Sequence, residues 1–177
     1  MKICLISVLL LICSQGLYSQ EYKLPVGLKY KKPKNSIDVT KTYKPKTGNQ
    51  SSVIDESSDA IFYQIDDMIF KFRATEDTLK GDLLERFRTD DFNMKKQLGL
   101  KTTITEIQKN GGFSYYKVYR PVRDKSKMLL SSFIVDNSSS IFIGCALVFP
   151  VDKREKADVI FDRFISSLRY KKRQFAP

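Results

Sequence analysis

Adjacent carboxylates are where acid–base chemistry would first be sought in this sequence. Asp66 and Asp67 form one pair, Asp90 and Asp91 another. Hydrolytic chemistry needs two carboxyls converging on one bond, one protonated and one ionised. Sequence neighbours diverge instead: they point to opposite faces of a strand and about 100° apart around a helix. Asp66 and Asp67 also stand between two short alternating apolar runs, where a two-residue turn belongs.

The remaining reactive groups read the same way. The chain has no histidine, which removes the commonest general base and metal ligand. Cys145 lies within an apolar run and reads as a small buried hydrophobe, not a reactive thiol. Ser138, Ser139 and Ser140 have no base to activate them and follow Asp136-Asn137 as turn residues. Gly111-Gly112 follows a strand pattern and precedes another, so it suits a hairpin and not a phosphate cradle, which opens a helix. Tyr115, Tyr116 and Tyr119 have the chemistry to stack a sugar or base, but on one strand they suit packing on a half-covered sheet. The expectation is a chain without catalytic, cofactor or metal-binding residues, and so not an enzyme.

The elements that would position any site are clearer. From Ile141 to Phe149 no side chain is charged or hydrogen-bonding, so this strand needs a cover on both faces. Pro150 stops it. Asp152, with Glu155 three residues on, has the spacing of a capping box. Ala157, Ile160, Phe161, Phe164 and Leu168 then recur at helical steps, predicting a helix over about Lys153 to Tyr170 with basic residues at its end. Earlier, Ala60 to Arg73 alternates as a hairpin turning at Asp66-Asp67, with a helix as the rival reading. Thr75 to Leu98 is helical, with Leu79, Leu83, Leu84 and Phe87 as the buried stripe, a break at Asp90-Asp91 and Gly99 as the cap. Thr102 to Arg120 is a second hairpin, Pro121 to Lys127 a basic loop, and Met128 to Val135 another strand.

Composition sets the outer bounds. The net charge is +11 and 42% of the 177 residues are hydrophobic, ample for one packed domain. Lys2, the apolar run Ile3 to Ile12 and the small residues Ser14, Gly16 and Ser19 form a secretory signal over 1–19, cleaved after Ser19 or Gly16. Acylation at Cys13 is the less favoured alternative, because Ile12 is not small. With Cys4 and Cys13 in that segment, the exported chain keeps only Cys145 and no intramolecular disulfide. Residues 20–56 read as a basic, extended or disordered arm. Lys23, Lys29, Lys31, Lys32, Lys34, Lys41, Lys44 and Lys46 face Glu21 and Asp38 between Gln20 and Ser52. The arm's interleaved Tyr22, Tyr30 and Tyr43 suit an anionic polymer or membrane surface; an exported protein rarely meets nucleic acid. A single domain occupies 57–177.

The order hairpin, helix, hairpin, hairpin, helix resembles the PsbP-like or DcrB-like superfamily of small secreted domains. The resemblance rests on the helix around Leu83 to Leu98, the Thr103-to-Ile107 strand turning at Asn110-Gly111-Gly112 into Tyr115-Tyr116, and the closing Phe161-Asp162-Arg163-Phe164 to Tyr170 run. It implies an α/β (α+β) fold, an α/β/α sandwich with a central antiparallel meander sheet flanked by helices. It implies no shared activity, its members being binding or accessory subunits. The function expected is therefore a non-catalytic envelope or periplasmic binding protein without cofactor, whose partner is another envelope or secreted protein. An immunity or chaperone-like adaptor is the alternative.

Overall fold

The computed structural model describes residues 21–23, 27–43, 59–76, 83–123, 125–136 and 141–170. The signal segment 1–19, Leu79 and Ser138 to Ser140 lie outside them. The strands are β1 (Glu21–Lys23), β2 (Leu28–Lys31), β3 (Ile37–Asp38), β4 (Ile61–Ile65), β5 (Met68–Glu76), β6 (Thr103–Ile104), β7 (Gln108–Asn110), β8 (Phe113–Pro121), β9 (Lys127–Asp136), β10 (Ile141–Pro150) and β11 (Arg169–Tyr170). The helices are α1 (Leu83–Leu98) and α2 (Arg154–Ser167), the latter entered through a 3-10 turn at Val151–Lys153. An antiparallel sheet runs in the order β3-β4-β5-β10-β9-β8-β6, with β7 also on β8. A smaller sheet runs β1-β2-β11.

β10 is the apolar strand expected from its composition, held between β5 and β9. Successive residues of a strand face opposite ways. Ile141, Ile143, Cys145, Leu147 and Phe149 join the main core with Phe161 and Phe164 of α2. On the other face Phe142 meets Phe133 and Phe87 of α1. β8 divides likewise: Tyr115 and Tyr119 face α2, Tyr116 and Val118 face α1. The sheet therefore lies between the two helices, an α/β/α sandwich.

The hairpin at Asp66-Asp67 forms, with Ile65 opposite Met68 and Asp66 in the left-handed region at φ 52°. The helical alternative for 60–73 is thereby set aside. The glycine hairpin also forms, Gly111 and Gly112 both having positive φ and Asn110 pairing with Phe113.

Several boundaries differ from expectation. Thr75 and Glu76 extend β5 and pair with Phe142 and Ile141; ladder bonds to β10 outweigh helical spacing there. Asp90 and Asp91 do not break α1, which is continuous to Leu98. Asp152 lies in the 3-10 turn, and α2 begins after Lys153, which makes no side-chain capping bond. The Lys153 ammonium instead donates to both oxygens of Asp67, at 2.8 and 2.9 Å, while Lys156 pairs with Asp66. The hairpin turn thus brings negative charge to the start of α2, where the helix dipole favours it. α2 stops at Ser167 because Leu168 is extended (φ −62°, ψ 131°) and feeds β11. Arg169 still meets the helix end, its Nη1 donating to the Ser166 carbonyl at 2.8 Å.

The largest difference concerns the arm. Residues 27–43 are part of the fold: β2 pairs with β11, and Leu28 and Tyr30 are buried in the main core. Tyr30 and Tyr63 share a hydroxyl hydrogen bond of 3.0 Å, and the Tyr30 ring packs edge-on to Phe72 at 4.9 Å. Tyr43 packs on Phe62 at 4.9 Å. Lys29 and Lys31, alternating with Leu28 and Tyr30, conceal a period-two strand. Replacing the fully buried Leu28 by alanine is expected to lower the unfolding free energy by about 2–5 kcal/mol, while Lys34→Ala, on the exposed part of the same stretch, stays within about 0.5 kcal/mol. Denaturant midpoints at unchanged slope would measure both.

Candidate binding surface

α1 is amphipathic but only half covered. Leu84 and Phe87 turn towards the sheet, and Phe87 stacks on Phe133 with centroids 4.7 Å apart. One turn on, Asp91 accepts a 2.7 Å hydrogen bond from the Tyr116 hydroxyl. Arg88 fixes the flank: its Nε donates to the Thr105 carbonyl at 3.0 Å and its Nη2 lies 2.7 Å from Glu106.

Leu98 follows Asp91 by two helical turns and points the same way. It is nevertheless 64% exposed, where Leu84 is 8%. Phe92 is 57%, Met94 44% and Leu100 38% exposed. The inward stripe of α1 has run past the sheet, whose edge strand β6 is only two residues long. Gly99 in the left-handed region (φ 60°) closes the helix, with the Leu100 N–H donating to the Lys95 carbonyl at 3.1 Å; this is a Schellman-type end. Between α1 and β6 an open groove of about 380 Å³ is lined by Arg88, Thr89, Phe92, Lys95, Ile104 and Glu106.

Along the overhanging stretch itself the charge has one sign, and Glu106 on the groove wall is paired with Arg88. From Phe92 to Thr105 the chain carries Lys95, Lys96 and Lys101 and no acid. None of the three pairs with a carboxylate of the described residues. The anchor beneath is polar. Burial raises the Asp91 carboxyl above its ordinary value, against the opposing Tyr116 hydrogen bond and the Arg120 charge. Burial and Asp91 together push the Tyr116 hydroxyl well above the usual phenol range, so it remains a donor.

On the other face, α2 is fastened by a second cluster. Lys117 is nearly buried, its Nζ 3.2 Å from Asp158 and 2.7 Å from Asp162. Burial alone would lower its pKa, but the carboxylates of Asp162 and Asp158 outweigh that and raise it. The Tyr119 hydroxyl donates to Asp158, and the Arg154 guanidinium lies 4.3 Å above the Tyr119 ring. Lys117 also sits 5.5 Å from the Phe161 ring centroid. These groups pair with one another between strand and helix, Asp162 through charge rather than a well-aligned hydrogen bond, which makes the cluster a fastening.

The candidate residues are thus dispersed. Asp66 holds Lys156 of α2 and Asp67 holds Lys153 just before it; Asp91 holds Tyr116 on the opposite face of the sheet. No two of the pairs meet. Cys145 is fully buried, and burial raises its thiol well above the ordinary value, which suits the packing role. Tyr115, Tyr116 and Tyr119 are interior, so they offer no stacking platform. Sequence reading missed Phe92, Met94 and Leu98 as a surface. Phe92 and Leu98 stand three residues either side of Lys95 on one side of the helix, with Met94 roughly opposite Phe92, and this spacing carries no signal of where the sheet beneath ends. The run of fourteen residues free of acid was the available clue.

No protein-family model matches the chain, and no curated protein matches its sequence. Solved structures do. A Bacteroides thetaiotaomicron protein aligns with a TM-score of 0.55 at 11% identity over 89% of this chain, which spans 50% of that protein's length. The Saccharomyces cerevisiae Ran-binding protein Mog1p aligns at 0.50 and 12% identity, over 85% of this chain and 94% of its own. A cyanobacterial PsbP from Synechocystis aligns at 0.50 and 18% identity, over 88% and 95%. The chain shares the PsbP and Mog1 fold; at these identities the likeness is one of fold.

The Asp91 anchor has a pH signature. Its folded pKa lies above the ordinary 3.8, so the native state holds a proton that the unfolded chain has already lost. Its contribution is fully present below 3.8 and is lost as pH rises through the folded value. Asp91→Asn keeps an acceptor for Tyr116 but cannot titrate. The stability difference between wild type and Asp91→Asn should therefore shift against wild type as pH rises through that window, and denaturant unfolding across it would measure the slope. Tyr116→Phe, which leaves the half-buried carboxylate without its donor, should cost about 1–2 kcal/mol at neutral pH.

Proposed function

We propose that this chain is a non-catalytic binding or accessory module, exported to the cell envelope or beyond, whose partner is another protein. The uncovered end of α1 carries the reading. Phe92 and Leu98 stand on one side of its last turns, 57% and 64% exposed, and large apolar side chains gathered in water at one place mark interaction surfaces. Here they come with Lys95, Lys96 and Lys101, unpaired among the described residues, and an adjacent groove. The fold lends support: Mog1p, described as Ran-binding, is a protein of this fold with a protein partner. The dispersal of the carboxylate pairs favours binding over acid–base chemistry. Export follows from Lys2 and the apolar Ile3 to Ile12 run. The immunity or chaperone-like adaptor is the same reading with a secreted protein as the one held.

Affinity capture from envelope extracts tests it. The exported protein is expected to retain a specific protein that Leu98→Asp releases, with both baits equally folded by circular dichroism. Leu98 is exposed, so its replacement leaves the core intact. Cell fractionation should place the chain outside the cytoplasm. A bait that retains no protein, or only anionic polymer, would overturn the reading.

A further inference from the structure

We infer that the overhanging end of α1 receives an acidic amphipathic segment of the partner, its apolar side chains on Phe92, Leu98 and Leu100 and its carboxylates on Lys95, Lys96 and Lys101. The inference rests on the binding-module reading and adds the chemistry of what is bound.

Charge selects among the occupants. A second copy would bring the same three lysines against their own counterparts across a two-fold contact, and like charges so placed cost several kcal/mol. The chain's own terminal Lys171, Lys172 and Arg173 carry the same sign. Its Val53-Ile54-Asp55-Glu56 stretch has the right chemistry, but it joins residues at the β3–β4 edge, and β6 stands at the opposite edge of the sheet. Each strand crossed adds about 4.8 Å. An anionic membrane would suit the lysines and the apolar tips. It would not suit the groove, where Arg88 is already paired with Glu106 and Thr89 lines the wall. A peptide supplies both the apolar contacts and the hydrogen bonds that such a groove needs.

The test uses the exported chain and three probes: a short helical peptide with leucines at i, i+3, i+4 and i+7 and flanking glutamates, the same peptide with lysines for glutamates, and vesicles rich in phosphatidylserine. Fluorescence anisotropy should detect the acidic peptide and not the basic one. Leu98→Asp should weaken binding roughly tenfold or more. The triple variant Lys95→Glu, Lys96→Glu, Lys101→Glu should do the same and reverse the preference towards the basic peptide. Added salt should weaken wild-type binding and leave the Leu98 contribution. Equal binding of both peptides, indifference to Leu98→Asp, or a preference for vesicles would each overturn the inference. So would tighter peptide binding by Asp55→Lys/Glu56→Lys, which would mark the chain's own segment as the occupant. A captured partner that neither the Leu98 nor the lysine variants release would sink this site while leaving the accessory role standing.

Discussion

A strand with apolar side chains on both faces is the constraint from which this architecture follows. β10 cannot lie at a surface, so it is central, with β5 and β9 bonding its two edges. Neither can one helix shield it, because its side chains leave the sheet in both directions. α2 follows β10 directly and folds back over one face. The other face must be covered from earlier in the chain, and α1 does so on its way from β5 to β6. The pairing of β5 with β10, so distant in sequence, closes the sheet around that covered strand.

β8 then acts on both helices at once. Its alternating residues send Tyr116 to one face and Tyr119 to the other, and each hydroxyl donates to a helix carboxylate, Asp91 on α1 and Asp158 on α2. Desolvation and the adjoining carboxylate hold both phenols above their usual range, so both remain donors. The two fastenings differ in charge balance. Asp158 shares Lys117 with Asp162, which offsets the burial of all three. Asp91 has no cation in contact among the described residues, and its neighbour Arg120 is itself half-buried with Nη2 lacking a hydrogen bond there. The α2 side is the more firmly held; the α1 side carries a carboxyl that burial disfavours.

What the sequence revealed tracks how local each cause is. β10, both hairpins and the apolar face of α2 depend on side chains within one element, and periodicity discloses them. The limits of α2 depend on other elements: Lys153 turns to Asp67 and Leu168 departs to pair with β2, neither visible from helical spacing. β2 was concealed because Leu28 and Tyr30 alternate with lysines in a proline-bearing basic stretch, where charge density suggested an arm. Thr75 and Glu76 were lost to the helix pattern because their ladder partners, Phe142 and Ile141, lie far along the chain. The candidate site was legible only as an apolar stripe. Whether such a stripe is core or surface is decided by the width of the sheet beneath it.

That width also bears on why the overhang persists. α1 has 16 residues against 14 for α2, a difference of about 3 Å in length, so length alone does not explain why one is covered and the other overhangs. α2 rests on the middle of the sheet and is flanked by β2 and β11; α1 ends beside a two-residue edge strand. Folding gains nothing from the last turns of α1. Burying the exposed parts of Phe92 or Leu98, 57% and 64% of each, would contribute about 1–2 kcal/mol each, and that stabilisation is forgone while they stand in water. A polar ending after Asp91 would serve the isolated domain as well and more solubly. The chain instead continues the helix, closes it with Gly99 and surrounds its apolar tip with lysines. On the reading proposed above, the partner supplies the cover for this face.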